Sequence, residues 1–231
     1  MKYTTLPNTD IKVSKICLGT MTFGQQNSEA EGHAQMDYAF ENGVNFFDTA
    51  EMYSIPSREE TYGSTEKIIG TWFKKTGKRE DVVLASKIAG PNPNFGYMRD
   101  QLDFSPASIK YALDNSLQRL QTDYLDVYQL HWPERKNNCF GQRGFKVQED
   151  GWEDNIHQVL ETLDGFVKEG KIKHVGLSNE TPWGIMRFLE ESKYHNLPRI
   201  KTVQNPYSLL NRLFEVGSSE VCMRENVGLL A

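Results

Sequence analysis

Residues 44–53 read VNFFDTAEMY, a short apolar run that ends at Asp48, with Tyr53 five residues further on. An acidic residue directly after a short apolar run is typical of a strand that ends at the protein surface. Seven short, largely apolar, strand-like runs occur along the chain: KICLG, VNFFD, DVVLAS, YLDVYQLH, IKHVGLS, IKTVQ and VGLLA. Each is separated from the next by a longer segment with helical patterning. Such an alternation predicts seven strands, six intervening helices and a parallel α/β sheet.

Start signals mark several of the predicted helices. Ser28 with Glu31 has the spacing of a capping box, and Ser105–Pro106 offers a cap followed by proline at the first helical position. Thr181 before a proline predicts the start of another helix. Ahead of the first run, TTLPNTDIKV has the turn residues of a hairpin.

Loop lengths distinguish between an open doubly wound sheet and a closed (β/α)8 barrel. Connections from helix to strand are short (KTGKRED, QTD, EGK), whereas those from strand to helix are long: residues 52–63, 90–104 and 132–154. Long loops on one face are typical of barrel enzymes. The first strand is followed by GTMTFGQQN, which lacks the G-x-G-x-x-G fingerprint of an open dinucleotide-binding sheet. We therefore predict a (β/α)8 TIM barrel.

Composition is that of a soluble protein. Of the 231 residues, 25% are charged and 38% hydrophobic, which suits one domain spanning residues 1–231. The net charge is −5 without a basic cluster, so we expect no nucleic-acid partner. No stretch is apolar enough for a signal sequence or a membrane span, and the three cysteines lack metal or disulfide spacing. We expect a cytoplasmic protein with reduced thiols.

Four titratable side chains fall at the predicted strand ends. Asp48 and Tyr53 follow the second strand, Lys87 ends the third in LASKIAG, and His131 ends the fourth in YQLHWP. Taken singly, each has an ordinary explanation as a solvated strand end, loop aromatic, surface charge or half-buried histidine. In a barrel, however, successive strand ends converge on one mouth.

Alternation along the strands is consistent with this arrangement. An inward Asp48 predicts inward Phe46 and Val44, while an inward Lys87 predicts inward Ala85 and Val83.

The charges of Lys87 and Asp48 suggest how the four side chains act together. An ammonium within about 4–6 Å of a phenol favours the phenolate and lowers the phenol pKa from its usual value near 10. Lys87 is therefore expected to turn Tyr53 into a usable proton donor, with Asp48 holding the lysine and His131 donating a hydrogen bond to a substrate oxygen. The set suits protonation of a carbonyl oxygen as hydride reaches its carbon.

The chain resembles the aldo-keto reductase family, in its Tas-type bacterial branch. The matching segments are LGTMTFG, FFDTAEMY, ASK, SLQRLQTDYLDVYQLHWP, GKIKHVGLSN and VQNPYSLLNR, in order along the chain. This resemblance implies NADP(H)-dependent reduction of a small-molecule aldehyde or ketone. It implies a catalytic tetrad of Asp48, Tyr53, Lys87 and His131, with Tyr53 as the acid. The cofactor-binding residues it implies are Gly19, Thr20, Met21, Asp48, Ser178, Asn179 and Gln204.

One departure from the family concerns the end of the sequence. The chain stops at Ala231, within the predicted seventh strand, so we expect the barrel to lack its last strand and helices. By resemblance, the residues that bind the 2′-phosphate of NADP lie beyond this point. An alternative to the enzyme is therefore a cofactor-binding regulatory or inactive protein, as in the potassium-channel β subunits that resemble this family.

Other interpretations involve single residues. Glu51 beside Asp48 would suggest a glycosidase, but paired carboxylates do not explain the lysine and tyrosine. Ser178 and Asn179 are also candidates for the cap of the Thr181 helix. His33, His157, His174 and His195 lack metal-binding spacing and are expected to be surface or structural.

Substrate contacts are expected in the long loop 132–154. Its apolar candidates are Trp132, Phe140, Phe145 and Trp152, and its candidates for attracting an anion are Arg135, Lys136 and Arg143.

Overall fold

The strands form a two-stranded hairpin and a seven-stranded parallel sheet in a computed structural model, which describes residues 1–138, 144, 146–147 and 149–231. The hairpin pairs β1 with β2, and β3 to β9 follow one another across the sheet in chain order. The hairpin and all seven predicted strands are confirmed. Their bounds are β1 Tyr3–Thr5, β2 Lys12–Ser14, β3 Leu18–Gly19, β4 Phe46–Asp48, β5 Val83–Ile88, β6 Leu125–Leu130, β7 Ile172–Ser178, β8 Ile200–Gln204 and β9 Gly228–Leu230.

In the described part of the chain, six α-helices connect the parallel strands, as predicted. They are α1 Glu29–Glu41, α2 Ser64–Thr76, α3 Pro106–Leu120, α4 Ile156–Lys168, α5 Pro182–His195 and α6 Ser218–Glu225. The capping box at Ser28 is present with both of its hydrogen bonds, and the Ser105 and Thr181 side chains cap α3 and α5. Each cap satisfies amide groups that the first helical turn leaves without partners.

Strand order decides the fold class. A doubly wound sheet reverses its order at a switch point, whereas here each strand pairs with the next one along the chain. The sheet is an incomplete (β/α)8 barrel, with β3 and β9 at its two edges in the described part of the chain. The predicted fold class is confirmed.

Alternation places apolar side chains on both faces of the sheet. Phe47, Leu84 and Tyr128 belong to the core between the sheet and the helices. Phe46 and Ala85, one position away, belong to a separate cluster on the inner face. The expected inward positions are confirmed for the strand residues.

Val44 is an exception to that alternation. It packs in the outer core with the helices. The prediction was wrong because β4 begins only at Phe46, and alternation does not extend to residues before the strand.

The amino-terminal hairpin is attached near the start of β4. The Asn45 side chain accepts a hydrogen bond from the Ser14 amide (2.7 Å) and donates one to the Lys12 carbonyl (3.0 Å). Leu6 and Val13 of the hairpin segment are buried in the inner cluster. The hairpin therefore covers the amino ends of the strands, and the carboxyl ends form the mouth. None of the described helices is long and apolar enough to cross a membrane.

Two helical glycines give a matched test of the packing. A Cβ added at Gly70 of α2 would lie 2.2 Å from the Arg119 carbonyl oxygen at the end of α3, whereas one added at the exposed Gly165 of α4 would meet nothing within 4 Å. We expect Gly70→Ala to lower the free energy of unfolding by about 1–3 kcal/mol through overpacking. Gly165→Ala should raise it by about 0.5–1 kcal/mol. Urea denaturation of the two variants measures both changes, and equal stabilities would contradict this account of the α2–α3 contact.

Candidate active site

The four side chains predicted to act together converge at the carboxyl ends of β4, β5 and β6. Asp48 is the last residue of β4, Lys87 lies near the end of β5, and His131 directly follows β6. Asp48, Tyr53 and His131 line a cavity of about 1190 Å³. Lys87 lies behind them and is completely buried.

The Lys87 ammonium has a full set of partners. Its Nζ atom donates to Oδ2 of Asp48 at 2.6 Å and to the Thr49 carbonyl at 2.8 Å. It also lies 5.0 Å from the centroid of the Tyr53 ring. The other Asp48 oxygen accepts from Nε2 of Gln129 at 3.0 Å. Sequence reasoning missed Gln129, an amide inside an apolar strand, which is the type of buried polar group that needs a partner.

The ion pair keeps Lys87 charged. Burial alone would lower the pKa of Lys87, but Asp48 and Tyr53 together outweigh burial, and the pKa is raised. A fixed positive charge therefore lies beneath the mouth of the barrel.

Tyr53 holds its proton more tightly than the sequence predicted. Burial raises the pKa of its phenol above 10, and the opposing pull of the Lys87 ammonium only partly offsets this effect. The expected net lowering was wrong because the sequence does not reveal how deeply the ring is buried. Tyr53 is consequently a neutral phenol at physiological pH, the protonated form that an acid requires.

His131 lies beside Tyr53, with the two ring centroids 5.6 Å apart. Burial, with a smaller contribution from Lys87, lowers the pKa of His131 well below its usual 6.5, so the imidazole is neutral. Its Nδ1 atom is buried without a hydrogen-bond partner among the described residues. A neutral imidazole can donate one hydrogen bond to a ligand.

Gly19, Thr20 and Met21 follow β3 and line the same cavity. A Cβ placed on Gly19 would meet nothing within 4 Å, which leaves open space beside this strand end. Thr20 is buried, and its hydroxyl donates to the Asp48 carbonyl at 2.8 Å. Thr20 thus attaches the β3 end to the β4 end.

Ser178, Asn179 and Gln204, at the ends of β7 and β8, also line the cavity. Asn179 has a left-handed backbone (φ 52°), and its Nδ2 donates to the His131 carbonyl at 2.9 Å. The helix cap is Thr181, so the alternative capping role of Ser178 and Asn179 is wrong. The side-chain amide of Gln204 has no hydrogen-bond partner within the described part of the chain and is available to a ligand.

Comparison with known sequences agrees with this geometry. The Aldo/keto reductase family profile matches residues 15–231. The chain belongs to the aldo/keto reductase family.

Among its relatives, Protein tas of Escherichia coli is 50% identical over 233 residues, covering 100% of this chain and 67% of the relative. The oxidoreductase YrpG of Bacillus subtilis is 37% identical, covering 94% of this chain and 61% of the relative. Norsolorinic acid reductase B of Aspergillus parasiticus is 28% identical, and the match covers 96% of this chain and 55% of the relative. The chain therefore spans between about half and two thirds of these relatives. Aldo/keto reductases are oxidoreductases that generally use NAD(P)H.

In this aldo/keto reductase, Glu51 supports a loop of the mouth. Its carboxylate is fully buried and accepts from Nη1 of Arg99 at 2.8 and 3.0 Å and from the Ala89 amide at 2.7 Å. Glu51 does not line the cavity with Asp48. A paired-carboxylate glycosidase is therefore not supported, and the Glu51–Arg99 pair attaches the loop 90–104 to the barrel.

Among the described residues of the loop 132–154, Trp132 alone lines the cavity. Arg135 forms an ion pair with the buried Glu180, and Trp152 packs near Trp183 outside the cavity. Lys136 is held by the Glu149 carbonyl (3.1 Å). The predictions for Phe140, Arg143 and Phe145 lie outside the described residues. Apolar contacts that the sequence missed come from Met52, Ile55 and Phe95 in other loops.

The Lys87–Asp48 pair should be worth more to stability than a surface pair. Lys87→Met leaves the Asp48 carboxylate buried without its counter-charge, and we expect the free energy of unfolding to fall by about 3–5 kcal/mol. Asp48→Asn combined with Lys87→Met removes both charges and should be less destabilised than Lys87→Met alone. Chemical denaturation of the wild type and of both variants measures these differences.

A matched control is Lys110→Met. Lys110 pairs with Asp114 on the exposed face of α3, with 61% of its side chain exposed, so we expect a loss of less than about 1 kcal/mol. Equal effects of Lys87→Met and Lys110→Met would contradict the assigned role of the buried pair.

Proposed function

We propose that this protein reduces the carbonyl group of a small aldehyde or ketone to an alcohol, using NADP(H) and Tyr53 as the general acid. The observation that carries the proposal is the buried Lys87–Asp48 pair beside two neutral groups, Tyr53 and His131, at the mouth of the barrel.

The residues at the strand ends fit a nicotinamide ring. A carboxamide needs hydrogen-bond donors and acceptors, which the side chains of Ser178, Asn179 and Gln204 supply at one side of the cavity. The open space at Gly19, with Thr20 and Met21, leaves room for a flat ring beside Asp48. When bound, NADPH supplies the hydride.

The protein groups then handle the carbonyl oxygen. The neutral His131 donates a hydrogen bond that orients the oxygen and polarises the C=O bond. As the carbon gains a hydride, the Tyr53 hydroxyl transfers its proton to the oxygen, which gives an alcohol and a tyrosinate. Lys87 stabilises the tyrosinate, Asp48 holds Lys87 in place, and solvent returns the proton to Tyr53.

The wall of the mouth indicates the substrate class. Met52, Ile55, Phe95 and Trp132 surround the catalytic groups with apolar surface. Because Arg135 is paired with Glu180, the proposed substrate is an uncharged, apolar aldehyde or ketone. The name of norsolorinic acid reductase B supports this direction of reaction, and that of YrpG supports redox chemistry in general. We infer a cytoplasmic location, where NADPH is maintained in its reduced form.

Tyr53→Phe tests the general acid. It removes the proton donor while leaving the cofactor residues in place, so kcat for an aromatic aldehyde should fall by about 10²-fold or more, in line with general-acid contributions. The dissociation constant for NADPH, measured by quenching of tryptophan fluorescence, should stay unchanged.

The matched control is Tyr62→Phe, which removes a phenol hydroxyl of the same loop that does not line the cavity. Near-normal kcat in Tyr53→Phe would rule out Tyr53 as the acid. A wild-type protein that binds NADPH but turns over no aldehyde or ketone would overturn the proposed enzyme and support the cofactor-binding regulatory protein.

A further inference from the structure

Two histidines and a glutamate meet on the outer helical layer. His157 near the start of α4 faces Glu191 and His195 on α5. Oε2 of Glu191 lies 3.4 Å from Nδ1 of His157 and 3.1 Å from Nε2 of His195. The sequence predicted these histidines to be surface or structural because they lack metal-binding spacing, and the two histidines are 38 residues apart on different helices. None of the three lines the active-site cavity.

The two separations between Glu191 and the histidines match the first coordination shell of zinc. Zn–N and Zn–O bonds of about 2.0–2.2 Å place neighbouring ligand atoms of a tetrahedral site about 3.3 Å apart. The two measured separations lie on either side of this value, and all three ligand atoms lie within 4.8 Å of one another. Two imidazoles and one carboxylate are also a common ligand set for catalytic or solvent-open zinc.

Neighbouring groups orient the ligands. Nε2 of His157, the nitrogen that faces away from Glu191, lies 3.3 Å from Oε1 of Glu161. A carboxylate on the far nitrogen fixes the tautomer of a metal-binding histidine. Arg187 donates to Oε1 of Glu191 at 2.9 Å and leaves Oε2 facing the histidines.

Glu191, in the middle of the cluster, is less exposed to solvent than the two histidines. Glu191 is largely buried, with 16% of its side chain exposed, while His157 and His195 are 42% and 51% exposed. Solvent can therefore reach the fourth position of a tetrahedral ion.

We propose that His157, Glu191 and His195 bind a divalent transition-metal ion, with Zn²⁺ as the preferred ion and water as the fourth ligand. The ion joins α4 to α5 and stabilises their packing. It plays no part in the carbonyl chemistry, so this proposal stands independently of the proposed function.

Calorimetric titration of chelator-treated protein with ZnCl₂ tests the site. We expect one equivalent of Zn²⁺ to bind and the thermal midpoint to rise with Zn²⁺ concentration. Glu191→Gln and His195→Ala should each weaken Zn²⁺ binding at least about tenfold. Glu190→Gln, which removes the adjacent carboxylate outside the cluster, is the matched control and should bind as the wild type does.

Absence of Zn²⁺ binding to the wild type, or equal affinities of Glu191→Gln and Glu190→Gln, would overturn the proposal. Substitution by Co²⁺ separates this site from the cysteines: a visible spectrum of a tetrahedral nitrogen and oxygen site supports it, and a sulfur-to-cobalt charge-transfer band contradicts it. His157→Gln, at a partly exposed position, provides a second variant whose affinity must also fall.

Discussion

The buried charge of Lys87 is the constraint on which the site depends. An ammonium removed from water is stable only beside a counter-charge and hydrogen-bond acceptors. Asp48 and the Thr49 carbonyl supply both, because β4 and β5 pair in a register that brings the end of one strand beside the other. Thr20 and Gln129, from the strands on either side, then hold Asp48. Four neighbouring strand ends are thus fixed around one positive charge.

Burial sets the protonation states of Tyr53 and His131, the two groups beside the Lys87 charge. It keeps the Tyr53 phenol protonated and the His131 imidazole neutral, so one group holds a proton to transfer and the other can donate a hydrogen bond without a charge. Lys87 favours the tyrosinate that forms when the proton leaves. The energy needed to maintain this arrangement comes from the packed sheet and helices around it.

Periodicity and capping residues predicted the strands and helices, because these depend on neighbouring residues, and loop lengths predicted the barrel. The convergence of Asp48, Lys87 and His131 followed from strand ends alone. Depth of burial does not appear in a local pattern, and for this reason the direction of the Tyr53 pKa shift was wrong. Pairs distant in sequence, such as Arg99 with Glu51, Arg135 with Glu180 and His157 with Glu191, depend on the packing of loops and helices and were missed.

Titration of Tyr53 tests whether burial and the Lys87 charge together set its protonation state. Protein labelled with ¹³C at the ζ carbon of tyrosine is titrated by NMR, and the Tyr53 signal is identified by its loss in Tyr53→Phe. We expect a Tyr53 pKa above 10, which rises further in Lys87→Met because the opposing ammonium is removed. A Tyr53 pKa below 10 in the wild type, or one that does not rise in Lys87→Met, would contradict this explanation of its protonation state.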